Sequence, residues 1–157
     1  MLAILMVAVL SVGFVSCGDD DDDDAPRSAN QLIGTWIETY FYETVYEKSN
    51  GNWVKIREYE GEALVGNQSF GMMFQLGGIV RFIRGIKSDG TYSSVESEFG
   101  YKLQNGHLYL RELDEADTDG WEEYGKISIS GDTFELSWEE ISGNKKNVGK
   151  DIYKKIK

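Results

Sequence analysis

The chain of 157 residues is poor in the side chains that do most protein chemistry. It holds one cysteine (Cys17), one histidine (His107) and one proline (Pro26). One cysteine makes no internal disulfide, so a folded domain here must rest on its apolar core. One histidine cannot supply a zinc site, and no Gly-x-Ser-x-Gly elbow accompanies it. No metal and no cofactor is expected, and the chain does not read as an enzyme. Asp and Glu total 27, so paired carboxylates of the glycosidase kind exist in number, but abundance alone is no signal. Basic residues number only 16, for a net charge of −11. A chain of that sign repels phosphate backbones, and nucleic-acid binding is not expected. The one basic cluster, Lys150, Lys154, Lys155 and Lys157, alternates with Ile152, Tyr153 and Ile156. That is the pattern of a strand's outer face rather than of a binding tail.

Charge is also missing from residues 1–15, which are apolar and end at Ser16-Cys17-Gly18. A lone thiol flanked by small residues after an apolar run reads as a bacterial lipoprotein processing site. Residues 1–16 are then a signal peptide that is removed, and Cys17 carries lipid that attaches the chain to a membrane. Signal peptides normally open with a basic segment, and none follows Met1. A misassigned start codon would account for that. The competing reading is a transmembrane helix, for which the run falls short of the roughly 20 residues a span needs. Six aspartates follow at 19–24, and of the net −11 they carry −6, leaving −5 on the rest. Such a run repels itself and stays extended, so residues 17–31 read as an acidic tether. Acidic residues soon after a lipidated cysteine resemble the surface-export signal of Bacteroidetes lipoproteins. That resemblance implies the outer membrane and exposure at the cell surface.

From residue 32 to 157 the pattern is β. Strands are predicted at 37–47, 53–59, 79–87, 91–98, 99–104, 107–113, 122–130, 133–141 and 148–156. Turn chemistry separates them: Asn50-Gly51, Asp89-Gly90, Gly131-Asp132 and, most strongly, Asn105-Gly106. No helix is convincing. Short strands joined by short turns make an antiparallel up-and-down meander, and one of eight to nine strands tends to close into a barrel because closure removes exposed edges.

Leu32-Ile33-Gly34-Thr35-Trp36 resembles the Gly-x-Trp opening of lipocalin-type barrels. Phe82, then Asp89-Gly90-Thr91-Tyr92, Tyr101-Lys102-Leu103 and Leu108-Tyr109-Leu110, are similar to the small lipocalin-like domains of Bacteroidetes lipoproteins. The resemblance spans residues 32–157 and implies a small barrel or cup that holds a small apolar or amphipathic ligand. It transfers no catalytic residue.

Candidate sites follow from alternation. Val80, Phe82, Arg84 and Ile86 share one face of a strand, and an arginine on an inward face suits a ligand carboxylate. The competing readings pair Arg84 with an internal glutamate or place it outside through a register slip. With Phe82 and Arg84, the residues Trp36, Tyr40 and Trp138 are candidates to line a ligand cavity. Trp36, Tyr40, Tyr42, Tyr46 and Trp53 form an aromatic set that either contacts a glycan or protein partner or serves the sheet through cross-strand pairs. Phe70, Met72, Met73 and Phe74 lie in a Met-rich stretch bounded by glycines. It is either a lid or partner surface, or an extra strand. The acidic loop 115–120 departs from a calcium-binding EF-hand, whose twelfth position falls on Lys126.

Overall fold

In the computed structural model the described residues are 29–113 and 120–156. Cys17, the aspartate run and the loop 114–119 lie outside them. The fold is all-β, an antiparallel up-and-down meander that closes on itself. Its strands are β1 Gly34–Ser49, β2 Asn52–Glu62, β3 Phe70–Gln75, β4 Ile79–Arg84, β5 Ser94–Gln104, β6 His107–Arg111, β7 Glu122–Ser130, β8 Thr133–Ser142 and β9 Lys145–Lys155. They lie in the order β2-β1-β3-β4-β5-β6-β7-β8-β9, and β9 pairs back onto β1. The barrel therefore has eight strands, with β2 as an extra one. β1 manages this because it is long. Its first residues (34–37) pair with β3, and on the same edge its later residues (40–49) pair with β2. β9 runs along the opposite edge, against residues 36–47.

Turn chemistry explains the local choices. Asn50-Gly51 and Asn105-Gly106 both take positive φ at both positions, as tight hairpins between right-twisted strands require. Two expectations need correction. The strand predicted to reach residue 87 stops at Arg84, because Gly85 turns to φ 64° with the Ser93 side chain packed against it. The strands predicted at 91–98 and 99–104 are one, β5. Gly100 sits within the ladder opposite Ile79 and Arg111 rather than in a turn.

One end of the barrel is closed and packed. A short helical turn at 29–32 seats Leu32, fully buried, beneath the strands, and Trp36 Nε1 donates to the Leu32 carbonyl at 2.6 Å. Above it Trp36, Met72, Phe74, Val80, Leu108, Phe134, Leu136 and Tyr153 form the core. Phe134 stacks on Tyr153 at 4.5 Å between centroids and meets Trp36 edge-on at 4.9 Å. Among the described residues no helix is long and apolar enough to cross a membrane.

Trp36→Phe keeps most of the apolar bulk but removes the donor that satisfies the buried Leu32 carbonyl. It is expected to cost about 1–3 kcal/mol, the usual penalty for an orphaned buried polar group. Urea unfolding followed by the remaining tryptophans measures this.

Candidate functional site

The other end is open, and three irregularities shape it. The pairing register slips between Glu38 and Tyr40 in β1, between Phe82 and Ile83 of β4 against β5, and between Leu108 and Tyr109 of β6 against β7. Each slip leaves one unpaired residue, Thr39, Glu96 and Tyr124 respectively. Bulges bend the strand that carries them and re-aim side chains. At Tyr124 the result is a ring turned inward, edge-on to Phe82 across the barrel at 5.5 Å.

This ring borders a cavity of about 470 Å³ at the mouth, whose walls include Phe82, Ser97, Phe99, Leu110, Glu122 and Tyr124. A second, more open hollow of about 720 Å³ lies on the other side of Tyr124, against Trp138, Gly149, Tyr42 and Ile141. Trp138 lies flat on the backbone of Gly149, where any Cβ would collide with the indole. The seated indole donates from Nε1 to Asp151 Oδ2 at 2.9 Å.

Tyr124, which borders both hollows, is also within electrostatic reach of two acids that line neither, Glu38 and Asp151. Glu38 stands opposite Tyr153 in the ladder, and Asp151 lies two residues before Tyr153 on β9. Burial, together with the charge of Asp151, pushes Glu38 up to about 7. Burial also raises Asp151, as does Glu43, against the opposing hydrogen bond from Trp138. Tyr124 is pushed up to about 12 by burial and by Asp151 and Glu38, although 38% of the residue is exposed at the rim. Tyr153, 2% exposed, is raised well above its ordinary value by burial, then by Asp151, Tyr124 and Glu38. The arrangement couples two partly desolvated carboxyls electrostatically to the tyrosines beside them. Among the described residues no three acids or histidines converge as metal ligands.

The structure distributes the residues singled out from sequence. Phe82 is a cavity wall and Trp138 lines the second hollow. Trp36 belongs to the closed floor. Tyr40 lies on the outer face, its hydroxyl donating to Glu60. Arg84 stands at the rim, its side chain 48% exposed, 3.5 Å from Glu96 and over the Phe70 ring. Arg84 thus stands outside the cavity, paired with an exposed glutamate rather than an internal one. The Met-rich stretch is strand β3. Met72 and Phe74 are core, Gly71 has the Trp36 carbonyl where a Cβ would stand, and Phe70 stacks on Phe82. Held this way it is a wall and no lid. His107 pairs with Glu123 at 2.6 Å at the barrel's surface.

Sequence reasoning missed Glu38, Asp151 and Tyr124. Two had a signal: Glu38 follows Trp36 by two, and Asp151 precedes Tyr153 by two, the spacing of one strand face. Tyr124 had none, because only its bulge brings it inward. No family model, curated protein or solved structure matches this chain.

The raised Glu38 gives stability a definite pH slope. Its folded pKa exceeds the usual 4.5, so between about pH 4.5 and 7 the native state holds more protons than the unfolded state. Stability then falls as pH rises through that window. Because Glu38 keeps some solvent contact, the effect is expected to be about 1–2 kcal/mol rather than the full shift. Glu38→Gln removes it, and unfolding midpoints of both proteins across that range measure the difference.

Proposed function

We propose that this chain is a cell-envelope lipoprotein whose barrel binds a small amphipathic molecule at its open end. Lipid on Cys17 holds it to the outer membrane, and the aspartates at 19–24 space the barrel from the surface, on the cell's exterior. Its role is binding rather than catalysis. The observation that carries this reading is the 470 Å³ cavity walled by Phe82, Phe99, Leu110 and Tyr124. A barrel this small can be filled by its own side chains, and its closed half is filled. The open half is not: its hollow sets these apolar walls beside Ser97, Arg111, Glu112, Glu122 and Glu123, the apolar surface with convergent polar groups that an amphipathic molecule needs.

The alternative, docking of glycan or protein on outer aromatics, has weaker support. The Tyr40 and Tyr42 hydroxyls are engaged by Glu60 and Glu58, and Lys48 lies over Trp53. These are cross-strand contacts that serve the sheet itself.

Native mass spectrometry of the full chain, purified from its own host in lipid nanodiscs, tests the reading. The expected result is an added mass of a few hundred daltons, the size a cavity of this class accepts, that is lost on denaturation. A bare mass, followed by no uptake from a total lipid extract, would overturn it.

A further inference from the structure

The cavity at the mouth holds one polar group that the protein itself leaves unmet, and this inference rests on the reading of that cavity as a binding site. Among the described residues, Arg111 Nε is the one buried side-chain nitrogen or oxygen without a hydrogen-bond partner. Arg111 ends β6 and walls the cavity together with Phe82, Phe99, Leu110 and Tyr124. Its neighbours hold it in place without satisfying it. Gly100 faces it in the β5–β6 ladder. The Arg111 stem lies so close over that backbone that a Cβ on Gly100 would stand 3.1 Å from Cγ and 3.2 Å from Nε. The guanidinium rests over the Trp121 ring at 4.8 Å. Such stacking uses the face of the guanidinium and none of its N–H groups, which lie in its plane.

The other described arginines differ. Arg81 pairs with Glu98, Arg84 pairs with Glu96, and Arg57 donates to the Tyr59 hydroxyl. Arg111 has no such partner among the described residues, although Glu112, Glu122 and Glu123 line the same hollow. Those three are exposed at the rim, and Glu123 is taken by His107 at 2.6 Å. Water and salt screen exposed carboxylates, whereas a buried N–H without an acceptor keeps its full desolvation cost. The open donor, more than the rim acids, therefore decides which group gains by entering. Native proteins rarely leave such a donor unmet, and one in the wall of a hollow calls for an acceptor that arrives with the occupant. Nε–H and the Nη–H on the same edge form a fork that fits the two oxygens of a carboxylate. A phosphate dianion is the poorer fit, because a single cation shares this wall with three carboxylates.

We infer that the occupant is an amphipathic carboxylic acid: its apolar body lies against Phe82, Phe99, Leu110 and Tyr124, and its carboxylate accepts hydrogen bonds from Arg111. Trp121 and Gly100 are positioning residues, which hold the guanidinium so that its edge stays free. The exposed Glu112 and Glu122 oppose the same carboxylate by like charge. The rim thus limits affinity while the buried donor sets selectivity.

The test uses three matched, water-soluble probes: 4-phenylbutanoate, 4-phenylbutanol and 4-phenylbutylamine. Each is titrated calorimetrically into the full chain in phosphatidylcholine nanodiscs, with empty nanodiscs as reference. The carboxylate is expected to bind about 10- to 100-fold more tightly than the alcohol, the worth of a hydrogen bond between charged groups. The amine is expected to bind least. Arg111→Gln should shrink the carboxylate-to-alcohol ratio by about tenfold and leave alcohol affinity unchanged. Arg111→Lys, which keeps the charge and loses the fork, should restore part of the ratio. Glu112→Gln combined with Glu122→Gln leaves Arg111 in place, so it tests the site even where Arg111 variants fold poorly. That pair should tighten the carboxylate by about two- to fivefold at low salt, a gain that high salt removes. Any species that native mass spectrometry finds on the chain should carry a carboxylic acid. Equal binding of carboxylate and alcohol, preference for the amine, or a native species without an acid group would overturn the inference and leave the binding cup standing. Binding of none of the three, together with a bare native mass, would overturn both.

Discussion

Closure of β9 onto β1 is the constraint on which everything else depends. β1 must satisfy three neighbours, β3 and β2 on one edge and β9 on the other. Closing a barrel fixes a stagger between strands, and a stagger that does not match the side-chain alternation must be absorbed locally. Here it is absorbed at Thr39, where the register slips by one residue. Below the slip, Trp36 and Glu38 face the interior. Above it the parity changes, so that Tyr40 and Tyr42 face outward toward Glu60 and Glu58. A single extra residue therefore divides β1 into a half that builds core and a half that builds surface.

The same division runs round the barrel. In the lower half, aromatic and aliphatic side chains fill the interior to the point where Trp36, Val80, Leu108, Phe134 and Leu136 have no exposure. In the upper half, the bulges at Glu96 and Tyr124 and the small residues Gly149 and Ser97 leave space. Glycine at 149 serves two ends at once. It gives the Trp138 indole a flat seat, and the seated indole reaches Asp151. Asp151 in turn raises Glu38, Tyr124 and Tyr153. The polar interior is thus coupled through one carboxylate, and that carboxylate is held by an indole whose position a backbone without a side chain permits.

Much of the fold was legible in the sequence because turn chemistry and alternation are local. Asn105-Gly106 forms the hairpin that such a dipeptide favours, and the core positions of β7 and β8 follow period two from Ile127 to Ile129 and from Phe134 to Leu136. What was not legible depends on register between strands distant in sequence. Alternation carried Arg84 to the same side as Phe82 and stopped there. It could not show that the strand ends at Gly85, which leaves Arg84 at a rim within reach of Glu96. Tyr40 was drawn to the ligand cavity for its aromaticity and lies outside, since the slip at Thr39 has no mark in the sequence. The Met-rich stretch was ambiguous for the reason that β3 is short and flanked by glycines. Its status as a wall is decided only by what β1 and β4 offer it.

The distribution of charge ties the cup to the rest of the chain. The net charge is −11, and six acids stand together ahead of the barrel. Outer carboxylates of β8 are matched by lysines of β9, with Lys150 on Glu135 and Lys146 on Glu139. Those pairs cancel locally and leave little field. Glu38 and Asp151 are different, because no base opposes them among the described residues. Burial in a weakly polarisable interior makes that imbalance felt more strongly than the same charges would be on the surface. The acids also set a cost on the empty barrel, since Glu38 is held partly protonated near neutrality. A protein selected for stability alone would carry an apolar residue two positions after Trp36.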